Sequence, residues 1–261
     1  MKIFDCFLYN NENLVLDIRF NTLNQFVEKF IIVESQYDHQ GNKKELNFKI
    51  ENYNKFKDKI IYLVIDNFPN NISNWERENF QRNYLINGFD VIKDDDYIMI
   101  SDLDEIPDLS KIKEIENSKF TVFEQNMYYY KINIINQTSP YWYGSRICKK
   151  KYLKSPQWLR NKKVKIYPFW RLDKIRWNII KNGGWHFSFL MTSSEIKKKI
   201  NSYAHSEFNN EKYKNLAKIE HSIANKVDLF DRSINYKQVE FNQTFPNYIY
   251  KNKVKFKDWI V

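Results

Sequence analysis

The chain has 261 residues, 43% of them hydrophobic and 17% aromatic, and a formal net charge of +10. That apolar content excludes a disordered chain, and the length fits one large domain. Two cysteines are too few for a disulfide framework, and no run approaches the roughly 18 apolar residues of a membrane span.

With an N-terminal apolar run too short for a secretory signal, these features predict a soluble, cytoplasmic protein. Its basic surface suits anionic partners: a nucleotide, nucleic acid, a phospholipid surface or an acidic glycan. Residues 2–8 (KIFDCFL) read as a short buried strand, and residues 12–27 as a helix carrying Leu14, Ile18 and Leu23. FIIVE (30–34) is a second buried strand ending in Glu34, and IIYLVID (60–66) a third ending in Asp66. Residues 75–87 read as a helix stopped by Gly88, and residues 96–101 as a fourth strand.

Strand alternating with helix predicts an α/β domain with a mostly parallel central sheet flanked by helices. Ligands of such sheets bind beyond the C-terminal strand ends, where Glu34, Asp66 and Asp102 fall. Further on, residues 119–135 are strand-like and aromatic, and Thr192 and Glu195 have capping-box spacing for a helix over 192–204. Residues 211–228 read as another helix. One domain is expected, in three stretches: 1–107, 108–210 and a C-terminal helical extension with a tail (211–261).

The fourth strand ends in YIMISDLDEIP, three carboxylates within four residues and then a proline. If strand geometry persists, Asp102 and Asp104 face the same way. Two converging carboxylates suit a hard divalent cation such as Mg²⁺ or Mn²⁺. Glu105 either orients them or faces solvent. A strand ending in DxD also occurs in haloacid-dehalogenase-type phosphohydrolases, where the first Asp is the nucleophile. There the motif normally lies near the N-terminus and is not followed by Glu-Ile-Pro. A non-enzymatic, basic binder of glycan or nucleic acid is the other alternative, and it leaves the DxD unexplained.

Several segments together resemble glycosyltransferase family 17. They are IFDCFLYNNEN with IRF, FIIVES with QYDHQGNKK, WEREN and QRN ahead of SDLDEIP, GGWHFSFL, and the segment containing SYAHSEFN. They come in the family's order over roughly residues 3–210. The resemblance implies a GT-A-like fold and a metal-dependent, inverting transfer from a nucleotide-diphosphate sugar, UDP-linked by preference, to a glycan hydroxyl. The donated sugar is then N-acetylglucosamine or a related hexose. Animal members carry an N-terminal Golgi anchor that is not read here. A cytoplasmic glycan pathway of bacterial or viral type is therefore expected.

The resemblance gives Asp104 direct metal contact and leaves Asp102 to reach the metal through water or to hold the ribose. His186, after Gly183-Gly184, is the third candidate ligand, and Trp185 a sugar-stacking or packing residue. Arg77 and Arg82 precede the DxD strand; an arginine fork matches phosphate oxygens, with Arg82 expected to reach the diphosphate and Arg77 to pair with Glu78 or another surface acid. Asp5 and Glu34 are candidates for uracil or ribose contact, with a structural role the equal alternative for Asp5. Glu124, Glu207 and Asp173 are the candidate bases for the acceptor proton, and the sequence does not choose among them; His205 and Glu207 also suit a structural pair. The run Lys149–Lys165 has eight Lys or Arg and no acid. It fits an anionic glycan, a phospholipid surface carrying a lipid-linked acceptor, nucleic acid (the least expected partner), or a solvated edge.

Overall fold

A computed structural model describes residues 2–115, 118–168, 170–171, 173–202 and 208–261. The first hundred residues form Ile3–Leu8 (β1), Asn13–Leu23 (α1), Lys29–Ser35 (β2), Ile60–Ile65 (β3), Asn74–Tyr84 (α2) and Tyr97–Ser101 (β4). The strands pair in the order β3-β2-β1-β4, all parallel. Burial on both faces explains their near-continuous apolar runs. Ile3, Phe7, Tyr97 and Met99 pack on the α1 side, while Phe4, Cys6, Ile98 and Ile100 pack on the opposite face.

The helix expected over 12–27 is shorter, ending at Leu23. Ser73 and Glu76 close a capping box at the start of α2. That helix runs on into a 3₁₀ turn, Leu85–Val91. Gly88 lies inside the turn and is not its stop: a Cβ there would come 2.7 Å from Ile31 Cγ2. The glycine permits close packing against β2.

The expectation of a mostly parallel sheet fails in the second half. The strands there are Glu105–Pro107 (β5), Phe120–Tyr129 (β6), Ile134–Asn136 (β7), Tyr141–Lys149 (β8), Asn178–Ile180 (β9), Gly184–Ser188 (β10) and Tyr236–Gln238 (β11). β8 lies antiparallel between β4 and β6, and β5–β10, β6–β7 and β7–β11 are antiparallel too. Only short loops join β6 to β7 and β7 to β8, which suits antiparallel neighbours, whereas parallel pairs need long crossovers. The chain is thus a mixed α/β domain with a large central sheet flanked by helices.

The helices of this half are Pro156–Arg160 (α3), Ser193–Ser202 (α4), Glu211–Lys214 (α5), Leu216–Asn225 (α6) and Asn247–Lys251 (α7). The Thr192–Glu195 capping box forms as the spacing predicts, with Thr192 N donating to Glu195 Oε2 at 2.9 Å. The single strand expected over 119–135 is broken at Tyr130, whose φ is 64°. The single helix expected over 211–228 is split at Asn215, which caps α6. The C-terminal tail is not only helical, because β11 joins the sheet beside β7.

Candidate functional site

The site starts from a turn. Ser101 ends β4, and Glu105 N donates to Asp102 O at 3.1 Å, closing a turn over 102–105. Strand geometry therefore does not persist through the DxD, and the two aspartates diverge. Asp102 turns to two arginines: Arg82 Nη2 at 3.0 Å and Arg160 Nη2 at 2.5 Å. Asp104 turns to His186 Nε2 at 3.5 Å and Lys199 Nζ at 3.8 Å. Glu105 orients the cluster. Its buried carboxylate accepts from Asp102 N at 3.0 Å, Trp142 Nε1 at 2.6 Å and both Nη atoms of Arg160.

Short local motifs place these side chains. Ser155 caps α3, Pro156 opens it, and Arg160 ends it. Gln157 ties α3 to α2 by accepting from Arg82 Nη1 at 2.6 Å and donating its backbone N–H to Asn83. The β5–β10 register sets His186 opposite Glu105 and Trp185 opposite Ile106. Gly184 makes that pairing possible: its φ is 136°, and a Cβ would lie 2.2 Å from Ile106 O.

Electrostatics follow from the partners. Partial burial opposes charge on Asp102, but Arg160 and Arg82 outweigh it and hold the carboxyl well below the usual range. Burial likewise opposes charge on Asp104, and His186 and Lys199 prevail, lowering its pKa. His186 is raised, burial notwithstanding, by Asp104 and then by Glu105 and Asp102. Lys199 is raised by Glu12 and Asp104 against its own burial. Burial, with Arg160 beside it, pulls Arg146 down to about 10.

Arg82, Arg146, Arg160 and Asp102 line a cavity of about 630 Å³ whose mouth carries Trp75, Tyr141, Trp142 and Tyr143. The Nε atoms of Arg82 and Arg146 are buried with no hydrogen-bond partner among the described residues. Arginine forks facing a cavity suit a phosphate-bearing ligand.

Among the described residues no group of three or more His, Cys, Asp or Glu side chains gathers as a metal site. Of the three expected ligands, Asp104 and His186 adjoin while Asp102 is engaged by arginines. The Asp104–His186 pair offers one oxygen and one nitrogen donor, a set that Mn²⁺ accepts. His186 Nδ1 is buried with no partner among the described residues, so no second hydrogen bond fixes the ring. These two donors would suit a divalent cation whose remaining ligands come from outside the described side chains.

The other expected site residues scatter. Asp5 is buried in a bidentate pair with Arg19, at 2.5 and 2.8 Å, on the α1 face of β1. Glu34 is buried too, accepting from Lys44, Asn47, Phe48 N and Tyr62. Neither carboxylate is left to a nucleotide; both are used in holding the chain. Arg77 donates to His39 O and Asn74 Oδ1, away from Asp102. Trp185 points to the opposite face of β10 from His186, donates to Thr244 O at 3.0 Å, and lines a different cavity.

Asp173 lies on the surface between Arg171 and Lys174. Glu124 is half-buried on β6 opposite Tyr143 in the β6–β8 register, and burial together with the Glu124 charge raises the pKa of that tyrosine. His205 and Glu207 lie outside the described residues. The sequence reading missed Arg160, Lys199, Arg19 and Glu12. Glu12 lies 3.3 Å from Lys199.

The chain matches the family model "Glycosyltransferase family 17" over residues 1–243. Beta-1,4-mannosyl-glycoprotein 4-beta-N-acetylglucosaminyltransferases of Homo sapiens and Rattus norvegicus are each 27% identical over 116 residues, 41% of this chain and 22% of theirs. The Mus musculus protein is 26% identical over the same length. The match thus spans about a fifth of these relatives. A solved Francisella tularensis 2-C-methyl-D-erythritol 4-phosphate cytidylyltransferase covers 58% of this chain and 74% of its own at 11% identity and a TM-score of 0.31. A likeness that weak bears on neither fold nor function. The family match spans nearly the whole chain and includes the turn that gathers Asp102, Asp104 and Glu105, and the protein belongs to glycosyltransferase family 17.

Proposed function

We propose that the protein transfers a sugar from a nucleotide-diphosphate sugar to a glycan hydroxyl with inversion, in a GT-A-like arrangement. The observation that carries this reading is the meeting of Asp102, Asp104, His186, Arg82 and Arg160 beyond the C-terminal end of β4. Open α/β sheets bind their ligands there. The β3-β2-β1-β4 order supports the same reading. The relatives' names favour N-acetylglucosamine or a related hexose, and hence a UDP-sugar.

Departure of a nucleoside diphosphate builds negative charge on the leaving oxygen. Arg82 and Arg160 are already aimed at one anionic group, Asp102, and would share themselves with the diphosphate. Glu105 keeps Arg160 in place from below. Asp104 and His186 would hold Mn²⁺ or Mg²⁺, which supplies charge neutralisation to the leaving group when bound. Trp142 and Tyr143 offer faces on which a sugar ring stacks. Glu124, beside Tyr143, takes the acceptor proton in this reading.

The test is binding and slow hydrolysis of a panel of UDP- and GDP-sugars, with and without Mn²⁺, by the wild type and Asp104→Ala. Metal-dependent binding of one donor, lost in Asp104→Ala, is expected. Failure to bind any nucleotide sugar would sink the proposal. Glu124→Gln should keep donor binding and lower kcat by about 10² or more; an unchanged kcat removes Glu124 as the base.

A further inference from the structure

The basic run singled out in the sequence divides in two. Its first part belongs to the fold: Lys149 and Lys151 pair with Asp95, and Lys150 donates to the carbonyls of Phe89 and Ile92. Beyond α3 the pattern changes. Residues 161–176 carry six Lys or Arg and one acid, Asp173, which Arg171 and Lys174 already neutralise. Lys163 and Lys165 are exposed, with no acidic partner among the described residues.

Two large apolar side chains stand out from the same region, Ile166 at 93% exposure and Trp170 at 66%. Single exposed apolar residues are ordinary, but two within five residues amid cationic side chains form a pattern. Lysine heads favour an anionic lipid surface, tryptophan favours the headgroup level, and an aliphatic side chain gains only from the acyl boundary. A nucleic acid would use the lysines and the indole yet leave Ile166 in water.

We propose that Ile166 and Trp170, with Lys163 and Lys165, dock the protein on an anionic lipid bilayer. Asn161 and Val164 of the same segment line the cavity that contains Asp102. Docking therefore brings the mouth of that cavity near the lipid surface, where a lipid-linked acceptor would be met. Membrane binding needs no turnover, so it stands or falls apart from the sugar-transfer reading.

The experiment is co-sedimentation of the full chain with vesicles of phosphatidylcholine alone and of phosphatidylcholine with phosphatidylserine. The wild type should bind only the anionic vesicles and be released by high salt. Ile166→Ser with Trp170→Ser should weaken binding at least about tenfold. Val254→Ser, at an equally bare position elsewhere (84% exposed), should leave it unchanged. The proposal is overturned if the wild type binds no vesicle, or if the double variant binds as the wild type does, which would leave net charge as the cause. Tighter binding to a single-stranded RNA oligonucleotide than to the anionic vesicles would also overturn it.

Discussion

Asp5–Arg19 and Asp102–Arg82–Arg160 lie on opposite sides of the same turn. Beneath it, the side chains of Asp5 and Arg19 are 0% exposed. Arg19 spends Nε and Nη2 on Asp5 and Nη1 on the carbonyls of Asp102, Leu103 and Glu105 at 2.7–3.2 Å. Above it, the Asp102 side chain is 39% exposed, and its two oxygens go to arginines from two different helices. The lower pair has no water to fall back on and shapes the turn from inside. The upper group borders a cavity, and in the sugar-transfer proposal its arginines are shared with the diphosphate as a second anion. The same chemistry is thus closed off as scaffold on one side of the turn and borders a cavity on the other.

The sharpest way to break that contrast is Arg19→Met. It strands the buried Asp5 and frees three carbonyls, so a loss of about 3–5 kcal/mol is expected by denaturant unfolding. Adding Asp5→Ala should recover part of the loss, because the stranded charge goes and only the carbonyl contacts stay broken. If Arg19→Met alone costs under about 1 kcal/mol, the lower pair is no scaffold.

The upper group should answer in activity. Arg82→Ala leaves Glu78 and Asp102 with access to water, so the expected stability loss is about 1 kcal/mol. The same change removes a fork from the cavity and should lower kcat/KM for the nucleotide sugar by about 10². Full activity in Arg82→Ala would show that the arginines serve Asp102 alone.

Part of this was legible in the sequence. Continuous apolar runs alternating with helices marked β1 to β4 and placed the DxD at a strand end. An acid inside IFDCFL requires a buried partner, and the arginine in LVLDIRF was the available signal for it. Other features were not legible. Strand pairing in the second half depends on which chain segments meet across β8, and periodicity does not encode that. Arg160 lies 58 residues from Asp102, in a lysine-rich run whose composition points to outside partners or a solvated edge and singles out no arginine for Asp102. The divergence of Asp102 and Asp104 comes from the turn closed by Glu105, whereas the i, i+2 rule assumed a strand.

The smallest expected effect is the pH dependence of stability, where the two aspartates differ in sign. Burial pushes Asp5 above the ordinary value, and Arg19 only partly pulls it back. Asp102 is held below it by Arg160 and Arg82. An unfolded Asp titrates near about 3.9. For Asp102 the unfolded chain binds the proton first as pH falls, so its contribution is complete above that value and is lost on the way down to the lower folded pKa. For Asp5 the folded chain binds the proton first, so acidification from its raised folded pKa down to about 3.9 acts in the stabilising direction. The open site should therefore make the protein more acid-sensitive and the closed one should not. Melting temperatures between about pH 5 and pH 3 should fall less steeply in Asp102→Asn than in the wild type, and more steeply in Asp5→Asn. Parallel pH profiles for the wild type and Asp102→Asn would mean that the arginines do not favour the ionised carboxylate, and the contrast between the two sides of the turn would lose its electrostatic basis.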